Sequence, residues 1–82
     1  MAHVKIYSSD FCPYCTRAKA LLRERGVHDF EEVVVDGKPD VRAKMTQITG
    51  RTSVPQIFIG ETHVGGCDDL HALDRRGGLV PL

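Results

Sequence analysis

The sequence predicts an α/β fold, a four-stranded mixed sheet with helices on both faces, and three observations point there. Residues 3–35 pass from strand to helix to strand patterning, a βαβ unit whose strands run parallel through a right-handed crossover. Residues 56–64 carry the pattern of a β-hairpin. Glycine and proline stand at the boundaries between these segments rather than inside them.

The elements follow in order. His3-Val4-Lys5-Ile6-Tyr7 alternates polar and apolar, as a half-buried strand does, and Ser8-Ser9-Asp10 breaks the pattern. After Pro13, Ala18, Leu21 and Leu22 recur at helical spacing, while Arg17, Lys19, Arg23, Glu24 and Arg25 make a solvated face and Gly26 a terminator. A second strand is expected from Phe30 to Val35, and its Val33-Val34-Val35 run suits a strand covered on both faces. Asp36-Gly37 turns the chain. Pro39 opens a second helix with Val41, Met45 and Ile48 on one side, and Gly50 ends it. Gln56-Ile57-Phe58-Ile59, the turn Gly60-Glu61 and Thr62-His63-Val64 form the hairpin. Asp68-Asp69 then leads a third helix with Leu70 and Leu73 inward, its acidic start complementing the helix dipole. Gly77-Gly78 stops it, leaving Leu79, Val80 and Leu82 to pack back on the body. The order βαβαββα is a thioredoxin-like plan, expected as one domain over residues 1–82.

Composition narrows the function. Eleven basic and eleven acidic residues cancel, so no electrostatic footprint for nucleic acid or an anionic membrane is present. No apolar run reaches membrane-spanning length and no signal-peptide profile opens the chain, so a cytosolic protein is expected. Three cysteines are an odd number and argue against a secreted disulfide framework. In a reducing compartment, Cys12-Pro13-Tyr14-Cys15 points instead to catalysis or metal binding. A zinc reading would add His63 and Cys67 as ligands, yet structural zinc sites usually come as two close ligand pairs. Pro13 at a helix start inside a βαβ unit favours redox chemistry and no metal.

With Cys12 as N-cap, Pro13, Tyr14 and Cys15 become N1, N2 and N3. A Cys12 thiolate would then face the free amides of Tyr14 and Cys15 and the positive helix end, with Cys15 close enough to form a disulfide. Cysteines so placed titrate at ~3.5–7.5 instead of ~8.5. Such a shift does little for attack. Going from ~8.5 to ~5 raises the thiolate fraction at pH 7 about thirtyfold, and a Brønsted slope of ~0.4–0.5 loses roughly the same factor. It does speed expulsion of the cysteine from a mixed disulfide.

Val54-Pro55 precedes the third strand. The proline could merely start that strand. Beside the two cysteines, a cis peptide is expected, turning the Val54 backbone outward for an extended peptide to pair with. Gly65-Gly66-Cys67-Asp68-Asp69 is a tight turn into a helix N-terminus. It could be ordinary capping, or it could take a carboxylate on its amides and an ammonium on Asp68, as the γ-glutamyl end of glutathione requires. His3, His28, His63 and His71 have no spacing that makes a site and are expected at the surface.

Cys12-Pro13-Tyr14-Cys15, Ser53-Val54-Pro55 and Gly65-Gly66-Cys67-Asp68-Asp69, in this order and at these separations, resemble the glutaredoxins, specifically the small dithiol bacterial class. The resemblance runs over essentially the whole chain. It implies a monomeric glutathione-dependent thiol–disulfide oxidoreductase, with glutathione as reductant and glutathione reductase acting indirectly through it. Glutathionylated proteins, small mixed disulfides and ribonucleotide reductase are the implied substrates. Cys12 would be the nucleophile and Cys15 the resolving thiol. Tyr14 would flank glutathione, the Val54 backbone would pair with its cysteinyl residue, Pro55 would be the cis residue, and Ser53 would be part of the binding site. Gly66, Cys67 and Asp68 would hold the γ-glutamyl end and Arg51 the glycyl carboxylate. Many relatives carry a lysine three residues before the first cysteine; here Ser9 stands there, followed by Asp10, so one cation is missing. Cys67 would form mixed disulfides or dimers under oxidation. Two other functions fit parts of the pattern: an iron–sulfur carrier ligated by Cys12 and glutathione, and a redoxin reduced by thioredoxin reductase. Pro13 speaks against the first and the Asp68 turn against the second.

Overall fold

In the computed structural model, which describes residues 3–79, β1 (Val4–Ser8) pairs parallel with β2 (Glu31–Val34) and antiparallel with β3 (Gln56–Ile59). β3 turns back into β4 (Thr62–Gly65), and the sheet order is β2-β1-β3-β4. Three helices connect or follow the strands: α1 (Pro13–Glu24), α2 (Pro39–Thr49) and α3 (Cys67–Arg75). This is the thioredoxin-like arrangement the sequence predicts.

Strand alternation divides the core in two. Val4 and Ile6 of β1 and Ile57 of β3 face Ala18, Leu21 and Leu22 of α1 and Leu70 of α3, with Leu79 closing the group. Tyr7 points the other way, into a smaller cluster with Val35 and Met45, where Val41 and Phe58 also pack. Helices therefore cover both faces, α1 and α3 on one and α2 on the other. Among the described residues no helix is long and apolar enough to cross a membrane.

The helix ends follow local rules. Pro13 and Pro39 occupy first-turn positions, where the missing N–H leaves no orphan. Gly50 takes the left-handed conformation (φ 74°) that ends α2, and its N–H closes on the Thr46 carbonyl at 2.8 Å.

Two expectations need correction. β2 is an edge strand, with Glu31 and Glu32 exposed and Val33 and Val34 only half-buried. Val33 and Val35 pack on the α2 side, whereas on the α1 side Val34 is only half-buried and Glu32 is exposed and paired with Lys19, so β2 is well covered on one face only. Ile48 lies 48% exposed, because α2 meets the sheet mainly through Met45. Val80 and Leu82 lie outside the described residues.

Candidate active site

Cys12 caps α1 from an extended conformation, and the Cys15 N–H donates to its Sγ at 3.1 Å. Pro13 at N1 and Cys15 at N3 set that geometry, since an N-cap side chain reaches the N3 amide. The two-residue spacing thus brings both sulfurs to one helix end, where both cysteines are free thiols. Cys12 is partly exposed, whereas Cys15 is fully buried. Burial, reinforced by the hydrogen bond and charge of Cys12, pushes the Cys15 thiol up to about 12. The pair is chemically asymmetric: an accessible sulfur served by an amide, and a protonated one beneath it.

The Cys12 Sγ also reaches the Val54 carbonyl at 3.6 Å, and the Val54–Pro55 peptide is cis. Beside this contact opens a cleft of about 260 Å³ lined by Tyr14, Arg51, Ser53, Val54, Pro55, Gly66, Cys67, Asp68 and Asp69. All eight residues that the resemblance implies for glutathione, Tyr14, Arg51, Ser53, Val54, Pro55, Gly66, Cys67 and Asp68, line this one cleft. Cys12 stands at its edge through the Val54 contact, and Cys15 is buried.

Three parts of the chain build the walls: Tyr14 at the start of α1, residues 51–55 and residues 66–69. The Arg51–Ser53 segment is held by Arg42 of α2, whose guanidinium donates to the Thr52 carbonyl at 2.9 Å. The Gln56 amide donates to the Ser53 carbonyl at 3.0 Å, and its oxygen meets His63 at 2.8 Å. On the far wall, Asp69 at N3 of α3 accepts the Gly66 N–H at 2.9 Å and the Arg51 guanidinium at 2.9 Å. Those two bonds hold the Asp69 carboxyl below the usual carboxylate range. Gly65 has φ 121°, and a Cβ there would collide with the Asp69 carboxylate, so this turn admits no side chain at that position.

The loop ahead of Cys12 is tied to the end of β2. Ser9 Oγ donates to Asp36 at 2.7 Å, the Asp10 N–H donates to the same carboxylate at 2.8 Å, and the Phe11 N–H donates to Ser9 Oγ at 3.3 Å. These bonds, the Ser9 hydroxyl first, lower the Asp36 carboxyl.

Sequence reasoning missed several of these parts. Asp68 lines the cleft, and beside it Asp69, read from the sequence only as part of an acidic helix start, knits the cleft walls together. Arg51 lies in the cleft as expected, yet one of its N–H groups already serves Asp69. His63 and His71 are not simple surface residues: His63 bonds Gln56, and His71 Nδ1 lies 2.8 Å from the Cys67 carbonyl and 3.5 Å from its sulfur. Burial also pushes the Cys67 thiol up. The signal for Asp69 was available, since an acid three residues after Gly66 fits an N3 capping position. Arg42 acts across 10 residues and Asp36 across 26 and 27, and neither left a local trace. Among the described residues no group of three or more His, Cys, Asp or Glu is gathered as a metal-ligand set.

Comparison with known proteins agrees with this geometry. The family model described as Glutaredoxin matches residues 4–64. The chain is 61% identical over 82 residues to the glutaredoxin of Pseudomonas aeruginosa, covering 100% of this chain and 96% of that one. It is 58% identical over 82 residues to glutaredoxin 3 of Escherichia coli, covering 100% and 98%. Among solved structures, the glutaredoxin of Brucella melitensis superposes with a TM-score of 0.84 at 52% identity, covering 96% of this chain and 85% of that one. A buckwheat glutaredoxin–glutathione complex superposes at 0.87 with 35% identity, covering 98% and 74%.

Proposed function

The chain belongs to the glutaredoxin family, a glutathione-dependent class of thiol–disulfide oxidoreductases, and from that premise we propose that it reduces protein–glutathione mixed disulfides through Cys12 alone and protein disulfides through Cys12 with Cys15. The observation that carries this reading is the asymmetric pair beside the cleft: an amide-served, accessible Cys12 sulfur over a buried, protonated Cys15.

In the first route the Cys12 thiolate attacks the glutathione sulfur of the mixed disulfide. A Cys12–glutathione bond forms, the original S–S bond breaks, and the protein leaves as a thiolate that takes a proton from water. A second glutathione thiolate then attacks the bound glutathione sulfur, forming glutathione disulfide and expelling Cys12 as thiolate. The Cys15 amide is already placed to meet that charge. The Cys15 thiol takes no part in this route.

In the second route Cys12 attacks one sulfur of a protein disulfide. Cys15, as thiolate, then attacks Cys12, forming the Cys12–Cys15 bond and releasing the reduced protein. Two glutathiones reopen the pair. Ribonucleotide reductase belongs among the substrates of this route.

In the cleft, the Val54 backbone pairs with the cysteinyl residue of glutathione, flanked by Tyr14, Ser53 and Pro55. The γ-glutamyl end lies against Gly66, Cys67 and Asp68, with the α3 N-terminus facing its carboxylate and Asp68 its ammonium. Arg51 takes the glycyl carboxylate with N–H groups that Asp69 leaves free, since a guanidinium carries five.

The test is NADPH consumption coupled through glutathione reductase, with a glutathionylated peptide as substrate and wild type compared with Cys12→Ser. Turnover that needs both glutathione and Cys12 is expected. Substantial turnover by Cys12→Ser, or activity only with thioredoxin reductase as donor, would overturn the assignment.

A further inference from the structure

Three large apolar side chains among the described residues stand in water, and two of them flank Cys12: Tyr14, and Phe11 at 89% exposure. Tyr14 lines the cleft and lies against the Arg17 guanidinium. Phe11 is not part of the cleft wall. A lone exposed phenylalanine needs no explanation on a free loop. This loop is fixed: the Ser9 hydroxyl and the Asp10 amide both donate to the Asp36 carboxylate, and the Phe11 amide, one residue ahead of the Cys12 cap, donates to the Ser9 hydroxyl. The backbone holds an aromatic ring out in solvent one residue before Cys12, outside the residues that line the cleft.

We propose that Phe11 is a specificity-determining residue for the protein half of the substrate, taking an apolar side chain that flanks the substrate cysteine. This rests on the function proposed above. In-line displacement aligns three sulfurs, so the leaving protein sulfur stands about 4 Å beyond Cys12 Sγ, two S–S bond lengths. The polypeptide around that sulfur must overlie the surroundings of Cys12. Glutathione intervenes on the cleft side, and Phe11 borders the other. In the dithiol route the protein is bonded to Cys12 itself and lies nearer still. Because the loop is already ordered, the ring can bury apolar area with little further loss of freedom.

The experiment compares wild type, Phe11→Ala and Phe11→Leu on three substrates: the glutathione–cysteamine mixed disulfide, a glutathionylated peptide with leucine on both sides of its cysteine, and the same peptide with glutamate there. Burying part of an aromatic ring corresponds to about a three- to tenfold change in kcat/KM. Phe11→Ala is expected to lose that factor on the leucine peptide, through KM, and to keep wild-type turnover of glutathione–cysteamine. It should also narrow the preference for leucine over glutamate, and Phe11→Leu should restore most of it. Equal losses on all three substrates would overturn the proposal, because Phe11 would then act only through the loop. An unchanged kcat/KM on the leucine peptide would overturn it as well. Failure of wild type on glutathione–cysteamine would remove the parent function, and the inference with it.

Discussion

Closure of Cys15 onto a Cys12 mixed disulfide should accelerate steeply with pH, and Cys15→Ser should remove that step alone. The Cys15 thiol is pushed up to about 12, first by burial and then by its contact with Cys12. At pH 7 about one Cys15 in 10⁵ is therefore ionised, against about 3% of a free thiol with pKa ~8.5. A Brønsted slope of ~0.4–0.5 makes the rarer thiolate about 25–55 times the better attacker, so Cys15 is roughly a hundredfold weaker per thiol than a free one. Position outweighs that deficit, since effective molarities of well-oriented groups reach ~10⁵–10⁸ M. Closure thus outruns attack by millimolar glutathione despite the buried thiol. Once Cys12 is in a mixed disulfide its charge is gone, but burial, the largest cause, still holds the Cys15 proton. The closure rate should rise about tenfold per pH unit between about pH 6 and 8, far below the Cys15 pKa. Rapid-quench counting of thiols released from a protein disulfide measures it. Cys15→Ser should stop at the mixed disulfide, with at least about a hundredfold loss of the second thiol, and keep its deglutathionylation rate. A closure rate independent of pH, or loss of deglutathionylation in Cys15→Ser, would refute the reasoning.

Two further predictions concern the scaffold. Asp69 has a carboxyl lowered by the Gly66 amide and by Arg51, so its contribution is present above the unfolded value of ~3.9 and is lost as pH falls through the folded one. Asp69→Asn should cost about 1 kcal/mol at neutral pH, and its urea midpoint should fall less steeply than that of wild type on acidification below about pH 4; parallel acid profiles would contradict this. Met45 is the fully buried residue of α2 in the smaller core cluster, and Met45→Ala should lose ~2–5 kcal/mol in urea unfolding. That is a large share of the ~4–12 kcal/mol expected for a chain of this length; a loss under about 1 kcal/mol would mean that α2 packs elsewhere.

Much of this molecule was legible because its signals are local. Pro13, Pro39, Gly26 and Gly50 fix helix ends through a few backbone bonds, and the βαβ pattern dictates a parallel pair. Cys12 and Cys15 meet because of N-cap geometry within one helical turn. What escaped depends on contacts made only in three dimensions. Val33-Val34-Val35 announces burial without saying from which side, and β2 proves to be an edge strand. Ile48 fits the helical period of Val41 and Met45, yet the short α2 rolls it to the rim. Ser9 is locally a missing lysine; its partner Asp36 lies 27 residues away and turns it into an anchor for the Cys12 loop. Asp68 and Asp69 differ only by register on α3, and that register gives Asp69 the Gly66 amide and Arg51.

The central claim is that glutathione passes through a covalent bond to Cys12. The direct measurement is mass spectrometry of Cys15→Ser, acid-quenched during turnover of a glutathionylated peptide and digested without reductant. One glutathione per chain is expected, on the peptide that carries Cys12. An adduct on Cys67, or turnover with no adduct on Cys12, would contradict it.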